Sequence, residues 1–354
     1  MRHGALGLAA VLLAGLLFAA DPAGDAVAPA KGDYVVVDLG SFGGDFTEAW
    51  GLNNRDEVVG RANDEQGRPV AFLWQDERVT RLPILPGATE AAACDITDDG
   101  VICGHAAIGW LHSLVWTDPA KPAKDIETVG GPAADVHGMN QLGAVVGNSR
   151  RAGDLLWCPY VWSDGKMTAI ETPNGAGGVA FGINDRGDVV GDYAGVTDGF
   201  DPPFRAFLWS DGVVRDLGTL GGAEAVAADI NNARKVVGYA ATKDGPVHAF
   251  LWADGQMRDL GTLGGTSSAA FRISRSGVVI GESTLATGET RAFVFRDGAM
   301  TDLNALLPPD SGWTLTVARD VNDHGCIVGF GLHHGRKRGF LLTLRHHPPP
   351  PKPD

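Results

Sequence analysis

Basic residues are scarce in this chain of 354 residues. Lys and Arg number 29 against 43 Asp and Glu, which gives a formal net charge of −14 at neutral pH. Nucleic-acid backbones and anionic lipid surfaces are bound mainly through Lys and Arg, so this balance argues against both kinds of partner. The acidic excess favours solubility instead. Since 44% of the residues are hydrophobic, the chain can still bury a sizeable core.

Several signatures of catalysis and cofactor binding are also missing. The sequence has no GxSxG motif for a nucleophilic serine. Two glycine-rich GTLGG segments, 218–222 and 261–265, lack the Lys-Ser/Thr pair that completes a phosphate-binding loop. No helical period of useful length runs through the chain after the first twenty residues. The sequence therefore predicts neither a nucleotide site nor a helical domain.

The N-terminus contains the one long apolar run, residues 5–20 (ALGLAAVLLAGLLFAA), after a short basic start. This pattern is typical of a signal peptide and is short for a membrane span, so we expect no transmembrane segment after cleavage. We assign residues 1–20 to it, with a cleavage point as late as residue 30. No cysteine lies nearby, which argues against a lipoprotein anchor. We expect a flexible leader over residues 21–33 and a secreted, periplasmic or cell-surface protein.

Glycine is abundant, with 50 residues, and it marks a repeat. Residues 215–265 open and close on the same eight letters, RDLGTLGG, and so contain one full period. Each copy has a Val/Ile-rich segment that ends in glycine, and these glycines are 43 to 48 residues apart. They are Gly60, Gly104, Gly147, Gly191, Gly238, Gly281 and Gly329. A period of this length with four short apolar runs predicts an all-β fold, a seven-bladed β-propeller of four-stranded antiparallel blades.

The ends of the repeat array predict how the ring closes. The last copy has no fourth strand, and the chain then runs into a Pro-rich end, residues 345–354, which we expect to be disordered. Tyr34–Leu39 (YVVVDL) matches the fourth-strand pattern, but no blade precedes it. We therefore expect residues 34–344 to form a single domain in which Tyr34–Leu39 completes the seventh blade. Closure removes the exposed edge that a linear array would leave.

The repeat motifs carry a resemblance to a known family. His248–Trp252 reads HAFLW, and Asp216–Gly222 and Asp259–Gly265 both read DLGTLGG. Over roughly residues 34–344 the chain resembles the HAF family of probable extracellular repeat proteins. The likeness is weakest in the second and seventh copies. It implies an extracellular location and provides no catalytic residues.

Differences in length between copies predict the binding face. The connection from second to third strand and the connection between blades vary most, and in such blades both lie on one face of the ring. Binding residues concentrate on variable loops held by a rigid scaffold. The nominated loops are Asp192–Phe204, Asn148–Pro159, Asn304–Trp313 and Leu332–Arg338.

Three sets of side chains on this face are candidate ligand contacts. Three carboxylates could bind Ca²⁺, although their spacing is not that of an EF-hand and solvated loop charge is the simpler interpretation. Three tryptophans break the blade register and could stack on a ligand. Two histidines and an arginine could meet an anionic glycan or phosphate, or form a solvated loop. The carboxylates are those of Asp192, Asp198 and Asp201. The tryptophans are Trp110, Trp157 and Trp313. The basic set is His333, His334 and Arg336.

A fourth set recurs at one position of the first strand. Asp95, Asp229 and Asp320 occupy this position in three blades and Arg272 in another. The repeat would place them around the axial channel, as a cation site or an acid/base pair. The alternative is structural hydrogen bonding between neighbouring blades.

The four cysteines allow one disulfide. Cys94 and Cys103 lie on strands that pair within the second blade, and counting from the turn between them places the two residues opposite each other. We predict a cross-strand disulfide there. Cys158 and Cys326 belong to distant blades, so we expect both thiols to be free.

These observations predict a monomeric recognition scaffold whose partner is a protein or a glycan. A hydrolase or lyase that uses the channel carboxylates is the enzymatic alternative. A structural component of the cell surface is a third interpretation.

Overall fold

The chain is a seven-bladed β-propeller, as predicted. A computed structural model describes residues 34–153, 156–195 and 203–345, which form seven four-stranded antiparallel sheets. Each inner strand contacts the inner strand of the next blade, so the seven inner strands surround the axis. Within the described ranges, no helix is long and apolar enough to cross a membrane.

Blades 1 to 4 each consist of four consecutive strands, ordered from the axis outwards. Blade 1 contains β2 (Gly43–Leu52), β3 (Val58–Asp64), β4 (Pro69–Gln75) and β5 (Arg78–Arg81). Blade 2 contains β6 (Glu90–Ile96), β7 (Ile102–Ile108), β8 (Trp110–Trp116) and β9 (Lys124–Asp125). Blade 3 contains β10 (Gly130–Met139), β11 (Val145–Arg151), β12 (Trp157–Ser163) and β13 (Lys166–Ala169). Blade 4 contains β14 (Gly178–Ile183), β15 (Val189–Ala194), β16 (Phe204–Ser210) and β17 (Val213–Asp216).

Blades 5 to 7 repeat this arrangement, except that the outermost strand of blade 7 comes from the N-terminal end of the described chain. Blade 5 contains β18 (Gly221–Ile230), β19 (Val236–Thr242), β20 (Val247–Ala253) and β21 (Gln256–Asp259). Blade 6 contains β22 (Gly264–Ile273), β23 (Val279–Leu285), β24 (Thr290–Arg296) and β25 (Ala299–Asp302). Blade 7 contains β26 (Trp313–Val321), β27 (Ile327–His333), β28 (Arg336–Leu344) and, outermost, β1 (Tyr34–Asp38). Two 3-10 helices, Pro173–Gly175 and Leu303–Leu306, lie between blades.

The N-terminal strand closes the ring as predicted. β1 pairs antiparallel with β28, in a register that runs from Tyr34 opposite Leu344 to Asp38 opposite Phe340. The Tyr34 side chain is only 2% exposed, and its hydroxyl donates to the Gly325 carbonyl at 3.3 Å. Closure therefore buries an aromatic anchor besides pairing the edge of β28.

The hydrophobic core is divided into seven layers, one between each pair of neighbouring blades. Third-strand aromatics such as Phe207, Phe250 and Phe293 are fully buried in these layers. The repeated HAFLW segment is therefore a packing motif. Recurrence of an aromatic residue at one blade position therefore reflects core packing.

The asparagine that ends most inner strands ties blades together. Asn231 accepts hydrogen bonds from the backbone N–H groups of Ala233 (3.0 Å) and Lys235 (3.1 Å), which holds its own turn. Its amide also donates to the Ser274 carbonyl of the next blade at 3.1 Å. The same hydrogen bond, from the side-chain amide to a backbone carbonyl of the next blade, is donated by Asn53, Asn140, Asn184 and Asn322. The repeat pattern predicts the turn cap but not this link between blades.

Every inner strand contains a β-bulge at the same repeat position. In blade 5 the pairing shifts between Ala227 and Asp229, so Ala228 has no partner on β19. The bulge brings the carbonyl of Val226 against Gly238, the last residue of the VVG segment. A Cβ at Gly238 would lie far inside contact distance of that oxygen, and the same holds at all seven repeat glycines. The bulge is therefore the reason that each copy needs glycine there.

Replacing one of these glycines tests the role of the bulge. We expect Gly238→Ala to lower the free energy of unfolding by about 3 kcal/mol, because the opposing atom is backbone and cannot rotate away. Gly177→Ala is the matched control, since its nearest neighbour would be 3.4 Å from the new Cβ. Urea unfolding of the two variants measures the difference. Equal midpoints would contradict this role of the repeat glycine.

Candidate functional site

The bulges build a chamber on the propeller axis. A cavity of about 380 Å³ is lined by all seven unpaired bulge residues. A bulge turns its extra side chain away from the regular pleat, and here that direction is towards the axis. The bulge residues, in blade order, are Trp50, Cys94, His137, Phe181, Ala228, Phe271 and Arg319.

The bulge residues form one ring of side chains around the axis, and a second ring of variable side chains lies behind it. The residue after each repeat glycine lies opposite the inner strand, as Arg61 lies opposite Glu48. In blade order these residues are Arg61, His105, Asn148, Asp192, Tyr239, Glu282 and Phe330. His105 and Tyr239 line the chamber directly. The repeat therefore holds its repeat glycine constant and varies the side chains around the axis from blade to blade.

Arg319 is the least compensated charge of the chamber. Its guanidinium lies over the Phe271 ring at 4.9 Å and near the Phe330 ring at 5.9 Å. Among the described residues, no carboxylate is within 4 Å of it, and its buried Nε–H has no acceptor. Burial lowers the pKa of Arg319, while Glu282 and Glu48 act in the opposite direction.

The neighbouring cations of blades 7 and 1 share one carboxylate partner. Arg61 donates from Nε to Glu48 at 2.7 Å, and Lys337 pairs with the other oxygen of Glu48. Burial would raise the pKa of Glu48, but Arg61 and Lys337 outweigh it and hold this pKa below its usual value. Arg61 also covers the Trp50 ring at 4.9 Å, while the buried Nε1–H of Trp50 has no partner.

The wall formed by blades 2 and 3 carries a histidine pair. His105 Nδ1 lies 2.9 Å from Asp135 and 3.8 Å from the Cys94 thiol. Burial opposes the charged ring, yet Cys94 and Asp135 raise the pKa of His105 to about 11. His137 bonds to Asn148 at 2.8 Å, and burial lowers its pKa. This wall therefore combines one charged and one neutral imidazole.

The predicted disulfide is wrong. All four cysteines are free thiols in the structure. The bulge in β6 shifts the register by one residue, so Cys103 lies opposite Asp95, and Cys94 turns towards the chamber. Counting residues from the turn could not reveal this shift.

A charged plug forms the floor of the chamber. The predicted channel residues converge as expected, with Arg272 at the centre. Its guanidinium lies 2.8 Å from Asp95, 3.7 Å from Asp229 and 3.6 Å from Asp320. Burial alone would lower the pKa of Arg272, but the three carboxylates raise it well above its usual value.

The same carboxylates also join blades. Each accepts a hydrogen bond from a backbone N–H of the next blade. The pairs are Asp95 with Met139 (3.2 Å), Asp229 with Ile273 (2.9 Å) and Asp320 with Leu52 (2.8 Å). The predicted residues therefore lie together at the axis and also bond neighbouring blades.

Burial has the largest effect on the pKa values of two carboxyl groups of the plug. It raises the pKa of Asp320 to about 7 and raises that of Asp229, although Arg272 opposes both shifts. On the far side of the plug, the face with short turns has a smaller cavity of about 140 Å³. The three carboxylates line that cavity, yet their oxygens already meet Arg272 and backbone N–H groups. The arrangement favours a structural plug over an acid/base pair.

The residues predicted on the long-loop face fall into two clusters. Trp313 stacks on His333 at 4.5 Å, and His334 lies beside that pair. His333 Nδ1 bonds to Asp38 of β1 at 2.8 Å, which anchors this cluster to the closing strand. Arg336 is exposed at the start of β28.

Trp110 and Trp157 form the second cluster, together with Arg150. The guanidinium lies 5.7 Å from the Trp110 ring and 4.9 Å from the Trp157 ring. Trp110 is 53% exposed. This cluster is a surface of the kind predicted for stacking, at the rim of blades 2 and 3.

The nominated loops are shorter than predicted, because the second and third strands extend further. Asp192 lies in β15, is 6% exposed and is not a loop residue. Leu332–Arg338 is strand apart from a tight turn at His334-Gly335. Within the three described ranges no three His, Cys, Asp or Glu side chains are grouped to hold a metal ion. Asp198 and Asp201 lie outside the described residues, and Ca²⁺ binding stays a prediction.

The chamber residues were missed because loop lengths carry no information about the inner strands. A usable signal was present at two fixed positions of the repeat. One is the residue after the repeat glycine, and the other is the residue before the Gly, Asp or Arg near the end of the inner strand. Both change from copy to copy, while the repeat glycine does not. The bulge, which turns the second of these towards the axis, is not visible in the sequence.

Known structures share this fold. The chain is similar to the Pyrococcus horikoshii acylaminoacyl peptidase (13% identity, TM-score 0.53), covering 86% of this chain and 52% of that one. It is also similar to the propeller domain of the Trilobed protease from Pyrococcus furiosus (11%, TM-score 0.56), covering 85% and 96%. The structure of YCF48 bound to D1 peptide matches at 10% identity and TM-score 0.51, covering 89% and 98%.

This likeness is one of fold alone. The chain spans about half the length of the acylaminoacyl peptidase it matches. No protein-family model matches the sequence, and no curated protein matches it.

Proposed function

We propose that the chain is a binding protein whose axial chamber receives one group of a glycan or protein partner. One observation carries the proposal. The two repeat positions that vary from blade to blade line or back a single cavity, and three of the residues there, Trp50, Asp192 and Arg319, have buried polar atoms without partners. A buried donor left unpaired is costly, and a ligand that accepts its hydrogen bond removes this cost.

Recognition fits the chamber better than catalysis. Its walls combine aromatic rings with a few polar groups, which is the usual composition of a ligand site. General acid/base catalysis needs two groups directed at one reacting atom. The three channel carboxylates are instead directed at Arg272 and the backbone. A binding role also agrees with the structure of YCF48, which holds a peptide.

We also propose that the protein is exported and acts as a monomer. The apolar N-terminal run and the HAF-like repeat motifs support export. The acidic charge supports a soluble molecule that does not self-associate. Cell fractionation with an antibody against the propeller tests the location.

Array binding tests the proposed function. The full chain is applied to arrays of glycans and peptides, beside Trp50→Phe, Trp50→Ala and Trp110→Ala. Loss of an aromatic contact costs about 1 to 3 kcal/mol, so we expect Trp50→Ala to weaken the strongest signals by about fivefold to 150-fold. Trp110→Ala, the matched control at the rim, should retain them.

The variants also separate folding from binding. Trp50→Phe keeps an aromatic ring and should melt like the wild type while losing the indole N–H. If Trp110→Ala removes the signals and both Trp50 variants retain them, the ligand binds the rim and the chamber proposal is wrong.

A further inference from the structure

We propose that the chamber takes a carboxylate carried on a sugar ring, that is, one acidic sugar residue of a glycan. This inference rests on the proposed function and names its ligand. It depends on three features of the sector formed by blades 6, 7 and 1. They are an unpaired guanidinium, an aromatic wall with an unused donor, and the size of the cavity.

Arg319 provides the charge. It lines the chamber, and no ion pair or hydrogen bond to it is present among the described residues. A buried charge without a partner destabilises a protein unless something compensates it. The Phe271 and Phe330 rings lie close to the planar group. The planar fork of an arginine matches the two oxygens of a carboxylate.

The charge balance favours a single negative charge. Arg61 and Lys337 already share Glu48, and Arg272 is surrounded by three carboxylates. Glu282 lies on the strand behind Phe271 but makes no ion pair with Arg319 within 4 Å. Arg319 is therefore a chamber cation with no carboxylate within 4 Å among the described residues, and one negative charge is enough to pair with it.

The aromatic wall fits a sugar ring. Trp50, on the blade next to Arg319, has an Nε1–H without an acceptor, and a sugar hydroxyl oxygen supplies one. Phe181 and Phe271 add apolar surface around the same cavity. Aromatic side chains offer a flat apolar face and, in tryptophan, one polar atom at the edge. The C–H face of a pyranose is complementary to such a wall.

The cavity has room for a sugar residue. At about 380 Å³ it is more than twice the roughly 150 Å³ of an engineered cavity that binds benzene. One pyranose ring with a carboxylate fits this volume, and a folded segment does not. The Arg272 plug closes the other end, so a longer glycan must extend out through the face with long loops.

Calorimetric titration of the full chain with D-glucuronate tests the inference. D-Glucose and the methyl ester of glucuronate are the matched probes, because they keep the ring and lack the charge. We expect glucuronate to bind at least tenfold more tightly than either. Arg319→Met should remove this preference, and Arg258→Met, an exposed arginine on β21, should leave it unchanged.

Each other result overturns the inference in a distinct way. Equal affinity for glucuronate and glucose would contradict the role of charge and leave the chamber as a neutral sugar site. A preference that survives Arg319→Met would place the carboxylate elsewhere. If no sugar binds but an array peptide does, and binding depends on Trp50, the proposed function stands and the acidic sugar is wrong.

Discussion

Removing Tyr34–Leu39 from the full chain is expected to abolish stable folding. Tyr34 and Leu39 are each 2% exposed, and burial of two such side chains contributes about 3 to 6 kcal/mol. The deletion also leaves residues 340–344 of β28 as an unpaired edge. The combined loss is comparable with the total stability of an ordinary domain, about 5 to 15 kcal/mol.

Deletion of residues 346–354 is the matched control. These residues follow the last strand, so we expect the unfolding midpoint in urea to stay within error of the full chain. Circular dichroism and urea unfolding of the two deletions measure the contrast. Equal midpoints would show that β1 contributes nothing to closure, which would contradict the pairing with β28.

Asp192→Asn is expected to stabilise the protein by about 4 kcal/mol at pH 8. Burial raises the pKa of Asp192 from 3.8 to about 7, and a hydrogen bond from the Val179 backbone only partly offsets it. One Oδ atom is buried without a donor. A shift of about three units corresponds to about 4 kcal/mol, since each unit is about 1.4 kcal/mol. Asparagine keeps the shape of the side chain and carries no charge.

The sign of this effect depends on pH. The folded state binds the proton of Asp192 more tightly than the unfolded state does. Its favourable contribution is therefore complete below pH 3.8 and is lost as pH rises through 7. The difference between Asp192→Asn and wild type should be near zero at pH 4 and reach its full value by pH 8. Asp310→Asn, at an exposed loop position, is the control, and a difference that does not change with pH would contradict the prediction.

The periodicity of the sequence was sufficient to predict the blades and the closure. Glycine spacing determines the number of copies, and the missing fourth strand of the last copy identifies Tyr34–Leu39 as its replacement. The predicted loops were less accurate, because strand pairing extends beyond the apolar letters, as at Asp192. Backbone hydrogen bonds do not depend on hydrophobic side chains, so a pattern of apolar residues underestimates strand length.

The site was predicted only in part. Asp95, Asp229, Asp320 and Arg272 share one repeat position, and this was enough to bring them to the axis. Arg319 lies immediately before that position in its own blade and was overlooked, because regular alternation would turn it away from the axis. The bulge reverses this direction. Its signature in the sequence is indirect, namely a glycine on the partner strand that no turn requires.

The bulge has a consequence for how the protein can change over time. The positions that maintain the ring and the positions that line the chamber are different residues. The repeat glycine and the asparagine at the turn maintain the ring, while the bulge side chain lines the axial chamber. Substitutions at Ala228 or Phe181 therefore alter the chamber with little effect on pairing. The seven bulge positions can change one at a time. Different combinations of side chains at these positions could therefore give the same backbone different ligand specificities. Transplanting the bulge residues of one such propeller onto another should transfer its ligand.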